Sequence, residues 1–255
     1  MSAQDRGKPV IKTDDEVRRI AEAASIAAGA LAVVKNIMLP GIRADEIDRE
    51  AEKYIAIRNA FPANKEVEGY THATSVSRWD EIAHGIPLHT KIFRSGDVVA
   101  VDLGVKKDGC YADAAATFAV GTAVHPRVRT MLATCYEALL KGIHALKSGT
   151  MLSLYGRTVE TIVKERGFSV VRKLTGHGVG RAYHEAPHVF NFYHPDNDIP
   201  LMPNMVFAFE LMITAGSEKS SIDDDGWTAR TSDGNPSVHF EHTVLIGGNG
   251  VTILG

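Results

Sequence analysis

The stretch VDLGVKKDGCYADAAATF, residues 101–118, decides the reading of the chain. Asp102 and Asp113 each sit inside an apolar run that otherwise reads as a β-strand. Strand interiors disfavour Asp, and burying a carboxylate without a partner is costly. Between the two runs lies Lys-Lys-Asp-Gly, and Asp108-Gly109 is the strongest kind of signal for a two-residue hairpin turn. With that turn, Lys107 pairs with Cys110, Gly104 faces Asp113, and Asp102 faces Ala115. Side chains alternate between faces, so the two acids become diagonal neighbours on one face, with Cβ atoms about 7–8 Å apart or less. Gly104 and Ala115 are small and leave space between them. Two carboxylates converging on an apolar-walled space suit a metal ion. The alternatives are a pair of exposed edge-strand acids, or a three-residue loop that sends the acids to opposite faces.

Outward from the hairpin, the pattern is α+β. Thr13 and Glu16 form a capping-box pattern ahead of an amphipathic run to about Met38. Pro40-Gly41 breaks it, and a second helix runs to about Asn59. Pro126 starts a helix reaching about Lys147, and another spans Ser153 to Arg166 with Gly167 at its C-cap. Short strands dominate from Ser169 onward. Residues 34–61 parallel residues 142–168, with Gly41 aligned on Gly149, an offset of 108 residues. That repeat predicts two halves related by a pseudo-twofold axis, with a site between them. Residues 1–12 read as a loose arm and 13–255 as one domain, because no low-complexity linker divides them.

Composition narrows the function classes. With 44% hydrophobic and 23% charged residues, the 255-residue chain has the makings of a large core and a soluble surface. A net charge of −3 gives no support for binding nucleic acid or an anionic membrane. Cys110 and Cys135 cannot build a disulfide framework, so a reducing compartment is expected. The start, MSAQDRGKPVIKT, lacks the apolar segment of a signal peptide. The apolar stretch 20–34 is broken by Glu22 and Ser25 and is too short to span a bilayer. These features lead to the expectation of a cytoplasmic protein.

Two further apolar strands each carry one acid. MVFAFELMI (205–213) holds Glu210, and VHFEHTVLI (238–246) holds Glu241. GHGVGRAYHEAPHVF (176–190) sets His177 and His184 among glycines that allow close backbone approach. No lysine or arginine in the four acid-bearing apolar runs offers itself as a partner. Two divalent cations would neutralise the four acids, with His177 completing one coordination sphere. Carboxylate-rich ligation with one imidazole suits Mn, Fe, Co or Zn, and two such ions can share a water that becomes hydroxide near neutral pH. Serine-nucleophile and phosphate-loop motifs are missing. The pattern is that of a hydrolase.

The ordered set Asp102, Asp113, His177, Glu210, Glu241 resembles the type I methionine aminopeptidases of the pita-bread fold. So do HGIP (84–87), DLGVKKDGCYADAAATFAVG (102–121), GHGVGRAYHE (176–185), DGWTARTSDG (225–234) and FEHTVLI (240–246). The resemblance implies an α+β pita-bread fold, a pseudo-twofold antiparallel sheet with helices packed on one side. It implies removal of N-terminal methionine from peptides and nascent proteins, by a hydroxide bridging two divalent metals. Asp102 would chelate one ion, Asp113 and Glu241 would bridge, and His177 and Glu210 would bind the other. His84 would contact the scissile nitrogen and His184 the carbonyl oxygen, while Glu210 shuttles the proton. Tyr70, Tyr183 and Trp227 would surround the first side chain, with His84 and His184 also touching substrate. A monomer is expected. The alternatives are a pita-bread aminopeptidase with another first-residue preference, and a non-catalytic peptide-binding module.

The sequence departs from that pattern at several places. Ser77-Arg78-Trp79-Asp80 stands where the family has Ser-x-Asn-Glu, and the lost asparagine normally helps hold a monovalent cation. Ser75 and Asn64 replace pocket cysteines, Leu211 replaces a proline, and Tyr183 stands where Phe is common. Trp79, five residues before His84, is expected beside the substrate cleft. Together these changes predict a more polar, reshaped pocket, with measurable but reduced turnover of methionyl peptides and tolerance for at least one other first residue.

Overall fold

The structure, a computed structural model, describes residues 8–255. Four helices, α1 (Asp14–Ile37), α2 (Ala44–Ala56), α3 (Pro126–His144) and α4 (Ser153–Glu165), accompany thirteen strands among the described residues. The strands of the first half are β1 (Phe61–Pro62), β2 (Ser75–Arg78), β3 (Glu81–Ala83), β4 (Val98–Lys107) and β5 (Cys110–Ala119). The second half contributes β6 (Ser169–Val170), β7 (Gly176–Gly178), β8 (Glu185–Val189), β9 (Val206–Thr214), β10 (Ser220–Ile222), β11 (Ala229–Thr231), β12 (Ser237–Ile246) and β13 (Val251–Ile253). One antiparallel sheet runs in the order β1-β4-β5-β12-β9-β7-β8, and β10-β11-β3 forms a small second sheet. Two strands after Ser169, β9 and β12, are long rather than short, because their apolar runs are buried along almost their whole length.

The hairpin forms in the expected register, with Lys107 opposite Cys110, Gly104 opposite Asp113 and Asp102 opposite Ala115. Asp108 and Gly109 both have positive φ, 47° and 77°, as a type I′ turn requires. Alternation then sorts the side chains. Val99, Val101, Leu103 and Val105 join Ala112 and Ala114 against Ile20, Ala23, Ala24 and Ala27 of α1. The even-numbered positions of β4 face the other way. In β9, Phe207, Phe209, Leu211 and Ile213 pack with α3 and α4, leaving Glu210 for the opposite face. By length and composition α1 could cross a bilayer, but its apolar stripe is packed on β4 and β5.

The internal repeat is visible in hydrogen bonds. Gly41 N–H donates to Phe93 O and Gly149 N–H to Leu201 O, both at 2.8 Å. Ala44 N–H donates to Lys91 O and Leu152 N–H to Ile199 O, both at 2.9 Å. Arg43 bridges Ile92 as Met151 bridges Pro200. Every pair is displaced by 108 positions, and so is Asp102 from Glu210. Gly41 and Gly149 both have positive φ, 97° and 86°, which explains why glycine breaks each helix pair.

Of the expected loose arm, residues 1–7 lie outside the described residues, but its last residues are docked. Ile11 bridges Met205, and Lys12 is buried in an ion pair with Glu185, Nζ to Oε2 2.5 Å.

Candidate metal centre and active site

One cavity of about 150 Å³ gathers all ten expected site residues: Asp102, Asp113, His177, Glu210, Glu241, His84, His184, Tyr70, Tyr183 and Trp227. The sheet makes this convergence. Ala115 pairs with Asp102 on one side and with Glu241 on the other, while Glu241 pairs with Glu210. Four acids from four adjacent strands thus share one face. Three groups offer ligand atoms within 4.8 Å of one another: Asp102, Asp113 and Glu241; His177, Glu210 and Glu241; Asp113, His177 and His184.

The electrostatics call for a cation. No lysine or arginine is among the residues lining the cavity. Burial raises the carboxyls of Asp102, Glu210 and Glu241 well above the usual carboxylate range, and the neighbouring acids push them further. The Oε1 of Glu241 is buried without a hydrogen-bond partner. The Nδ1 of His177 donates to Gly178 O at 2.9 Å, which leaves Nε2 facing Asp113 Oδ2 at 3.6 Å and Glu210 Oε1 at 3.8 Å. A neutral imidazole nitrogen facing carboxylate oxygens across such gaps is the arrangement that a shared cation between them would use. The donor set therefore fits divalent metal.

Local hydrogen bonds hold two of the candidate ligands. The N–H of Asp113 donates to Thr243 Oγ1 at 2.9 Å, and the same hydroxyl donates back to Asp113 O at 2.8 Å. The hydroxyl of Ser75 donates to Asp102 Oδ2 at 3.3 Å. His84 has φ 57°, an uncommon conformation for a non-glycine residue and one found at functional sites. His84 and His184 are solvent-accessible but closely walled by protein, which lowers both imidazoles, that of His184 to about 4. Tyr183 lies tilted beside His184, ring centroids 4.4 Å apart. It can lie there because Gly104 has no side chain; a Cβ at 104 would come within 2.3 Å of the Tyr183 ring. Tyr70 meets Trp227 edge-on at 5.0 Å.

Two expectations about the cavity fail. Trp79 does not border it. The ring is 37% exposed and lines a separate hollow with His125, Arg127, Val128, Ala215, Asn235 and Pro236. Trp79 N–H bonds Val98 O, four residues along β4 from Asp102 and so about 13 Å away. It occupies the turn at the far end of the β2–β3 hairpin. Leu211 is fully buried on the helix side of β9 and does not reach the cavity. Asn64 and Ser75 do line it.

His239 went unread. It is fully buried, both ring nitrogens lack partners among the described residues, and Nε2 lies 3.6 Å from Glu210 Oε2. Burial depresses its imidazole to about 3, so it is neutral. The available signal was its position two residues before Glu241, which puts both on one face of β12.

A twofold-repeated antiparallel sheet that carries acids from both halves into one cavity defines a metal-dependent hydrolase of the pita-bread class. The chain belongs to metallopeptidase family M24, whose profile matches residues 18–247. It is 39% identical to a methionine aminopeptidase of Borreliella burgdorferi, over 92% of this chain and 94% of that one. The solved methionine aminopeptidase of Thermotoga maritima superimposes with a TM-score of 0.94 at 37% identity, covering 97% of this chain and 99% of the other. A prolidase from Pyrococcus furiosus is more distant, with a TM-score of 0.78 at 25% identity, and the chain covers 65% of its length.

Proposed function

We propose that the protein removes the N-terminal methionine of peptides and nascent proteins, in the cytoplasm, with two divalent cations. The observation that carries the reading is four acids and an imidazole nitrogen in one cavity lined by no cationic side chain. Near full-length similarity to methionine aminopeptidases supports the substrate. A non-catalytic peptide-binding module would have no use for uncompensated acids.

Asp102 would hold one cation, His177 and Glu210 the other, with Asp113 and Glu241 shared. Manganese, iron, cobalt or zinc suits this donor set. Bound divalent ions supply Lewis acidity and acidify an attacking water. The remaining steps belong to the protein. The acid cluster attracts the substrate's α-amino group, which favours cleavage at the chain end. Glu210 accepts a proton and returns it to the leaving amine. His184, kept neutral by the protein walls around it, donates a hydrogen bond to the carbonyl oxygen as charge develops there. His84 contacts the scissile nitrogen. Tyr70, Tyr183 and Trp227 wall the first side chain.

The test is Asp113→Ala and Glu241→Ala, each assayed for bound metal by elemental analysis and for turnover of Met-Ala-type peptides. Both should be folded, metal-poor and inactive. An Asp113→Ala protein that keeps two metals and full turnover would overturn the assignment.

A further inference from the structure

Asn64 stands at the side-chain end of the cavity, in the 3₁₀ turn Ala63–Glu66. It is only 8% exposed. Its Oδ1 accepts from the backbone N–H of Gly104 at 2.7 Å and from the hydroxyl of Tyr183 at 3.1 Å. The Gly104 bond fixes which end of the amide is oxygen, because a backbone N–H can meet only an acceptor. The Nδ2 donates to nothing among the described residues. It is therefore an uncommitted polar atom that Asn64 brings to the cavity.

The surrounding wall does not satisfy it. Val67, Tyr70 and Trp227 are apolar or aromatic. Burial and the nearby Asp102 keep the Tyr70 phenol protonated, and its hydroxyl already donates to Thr74 O at 2.9 Å. The hydroxyl of Ser75 is turned to Asp102. A substrate side chain entering this end meets an apolar slot with one free N–H donor pair. A thioether is a weak acceptor. Filling the slot with one strips the amide of water without giving it a strong partner, and that costs binding.

We infer that the site accepts a first residue of methionine's length whose side chain ends in an uncharged oxygen acceptor, namely methionine sulfoxide or glutamine. In both, the oxygen is attached to the atom in the place of the methionine sulfur, so one donor serves both. Glutamate places an oxygen similarly, but burying its charge in an apolar slot with no cationic side chain is costly. The inference rests on the aminopeptidase reading and specifies its substrate class.

The experiment compares kcat/KM of the metal-loaded enzyme on tripeptides differing only in the first residue: methionine, norleucine, methionine sulfoxide, glutamine and glutamate. Norleucine has the length without any acceptor. The sulfoxide and glutamine peptides should exceed norleucine by about tenfold or more, the order of the penalty for leaving one buried neutral donor unpaired. Glutamate should fall below them. Asn64→Asp keeps an oxygen for Gly104 and Tyr183 but removes the donor, and Asn64→Cys removes it without adding charge. The sulfoxide-to-norleucine ratio should collapse toward unity in both, and because a ratio is read, a general loss of activity cancels. Good turnover of methionine and norleucine with little of sulfoxide or glutamine overturns the inference alone. So does a ratio unchanged in both variants. Failure to cleave any of the five by folded, metal-replete protein overturns the aminopeptidase reading and the inference with it.

Discussion

At the scale of single residues, the site divides into groups held by bonds and groups held by emptiness. Asp113 is locked by Thr243, whereas Tyr183 depends on the missing side chain of Gly104. His184 shows what such placement can do. It is accessible, its imidazole is lowered by the protein around it, and in the proposed mechanism it acts on charge that appears only during reaction. His184→Ala should therefore lower kcat by about 10²–10³-fold and move KM little. Steady-state kinetics on a methionyl peptide checks this, and an unchanged kcat with a raised KM would make His184 part of the pocket instead. The acids were legible one by one because each is an anomaly in an apolar strand. Trp79 was misplaced because nearness in sequence to His84 says nothing about which end of a hairpin a residue occupies. Leu211 could have been excluded, since a neighbour of Glu210 in a strand must face the other way. The face on which His239 lies was legible from its spacing to Glu241, but its closeness to Glu210 depends on the pairing of β9 with β12, which no local signal sets.

At the scale of elements, the Asp-Gly turn made the β4–β5 register readable to the residue, and the glycine breaks made the two helix pairs readable as a repeat. What could not be read was tertiary docking of the chain's start. Lys12 reaches a nearly buried Glu185, whose other oxygen accepts from the N–H groups of Arg181 and Ala182 at 2.5 and 3.0 Å. This clasp pins the turn that carries Tyr183 and His184. Lys12→Met should leave a buried charge uncompensated and cost about 3 kcal/mol of stability, together with part of kcat. Lys12→Met combined with Glu185→Gln should be less destabilised than Lys12→Met alone. Urea denaturation of the three proteins decides it, and strict additivity would mean that the pair is not coupled.

At the scale of the whole molecule, the acids link metal, proton and fold. Without cations, burial raises Asp102, Glu210 and Glu241 above their ordinary values of 3.8 and 4.5. A carboxyl that titrates higher in the folded state favours folding while it is protonated. That contribution is complete below the unfolded value and fades as pH rises through the raised folded one. The metal-free protein should thus lose stability from about pH 5 upward, where the bound cations of the loaded protein would neutralise the same groups. Melting temperatures with and without chelator, taken from pH 5 to 8, should diverge as pH rises; a constant or narrowing gap would count against the linkage.

Asp102 and Asp113 come from the first half of the sheet, and His177, Glu210 and Glu241 from the second. The cavity is therefore a joint that exists only while both halves hold their shape. A local opening on either side, even one that leaves most of the helices intact, disperses the candidate ligands as thoroughly as complete unfolding would. Turnover is in that sense a gauge of the joint, sensitive to the weaker half and blind to which half it is.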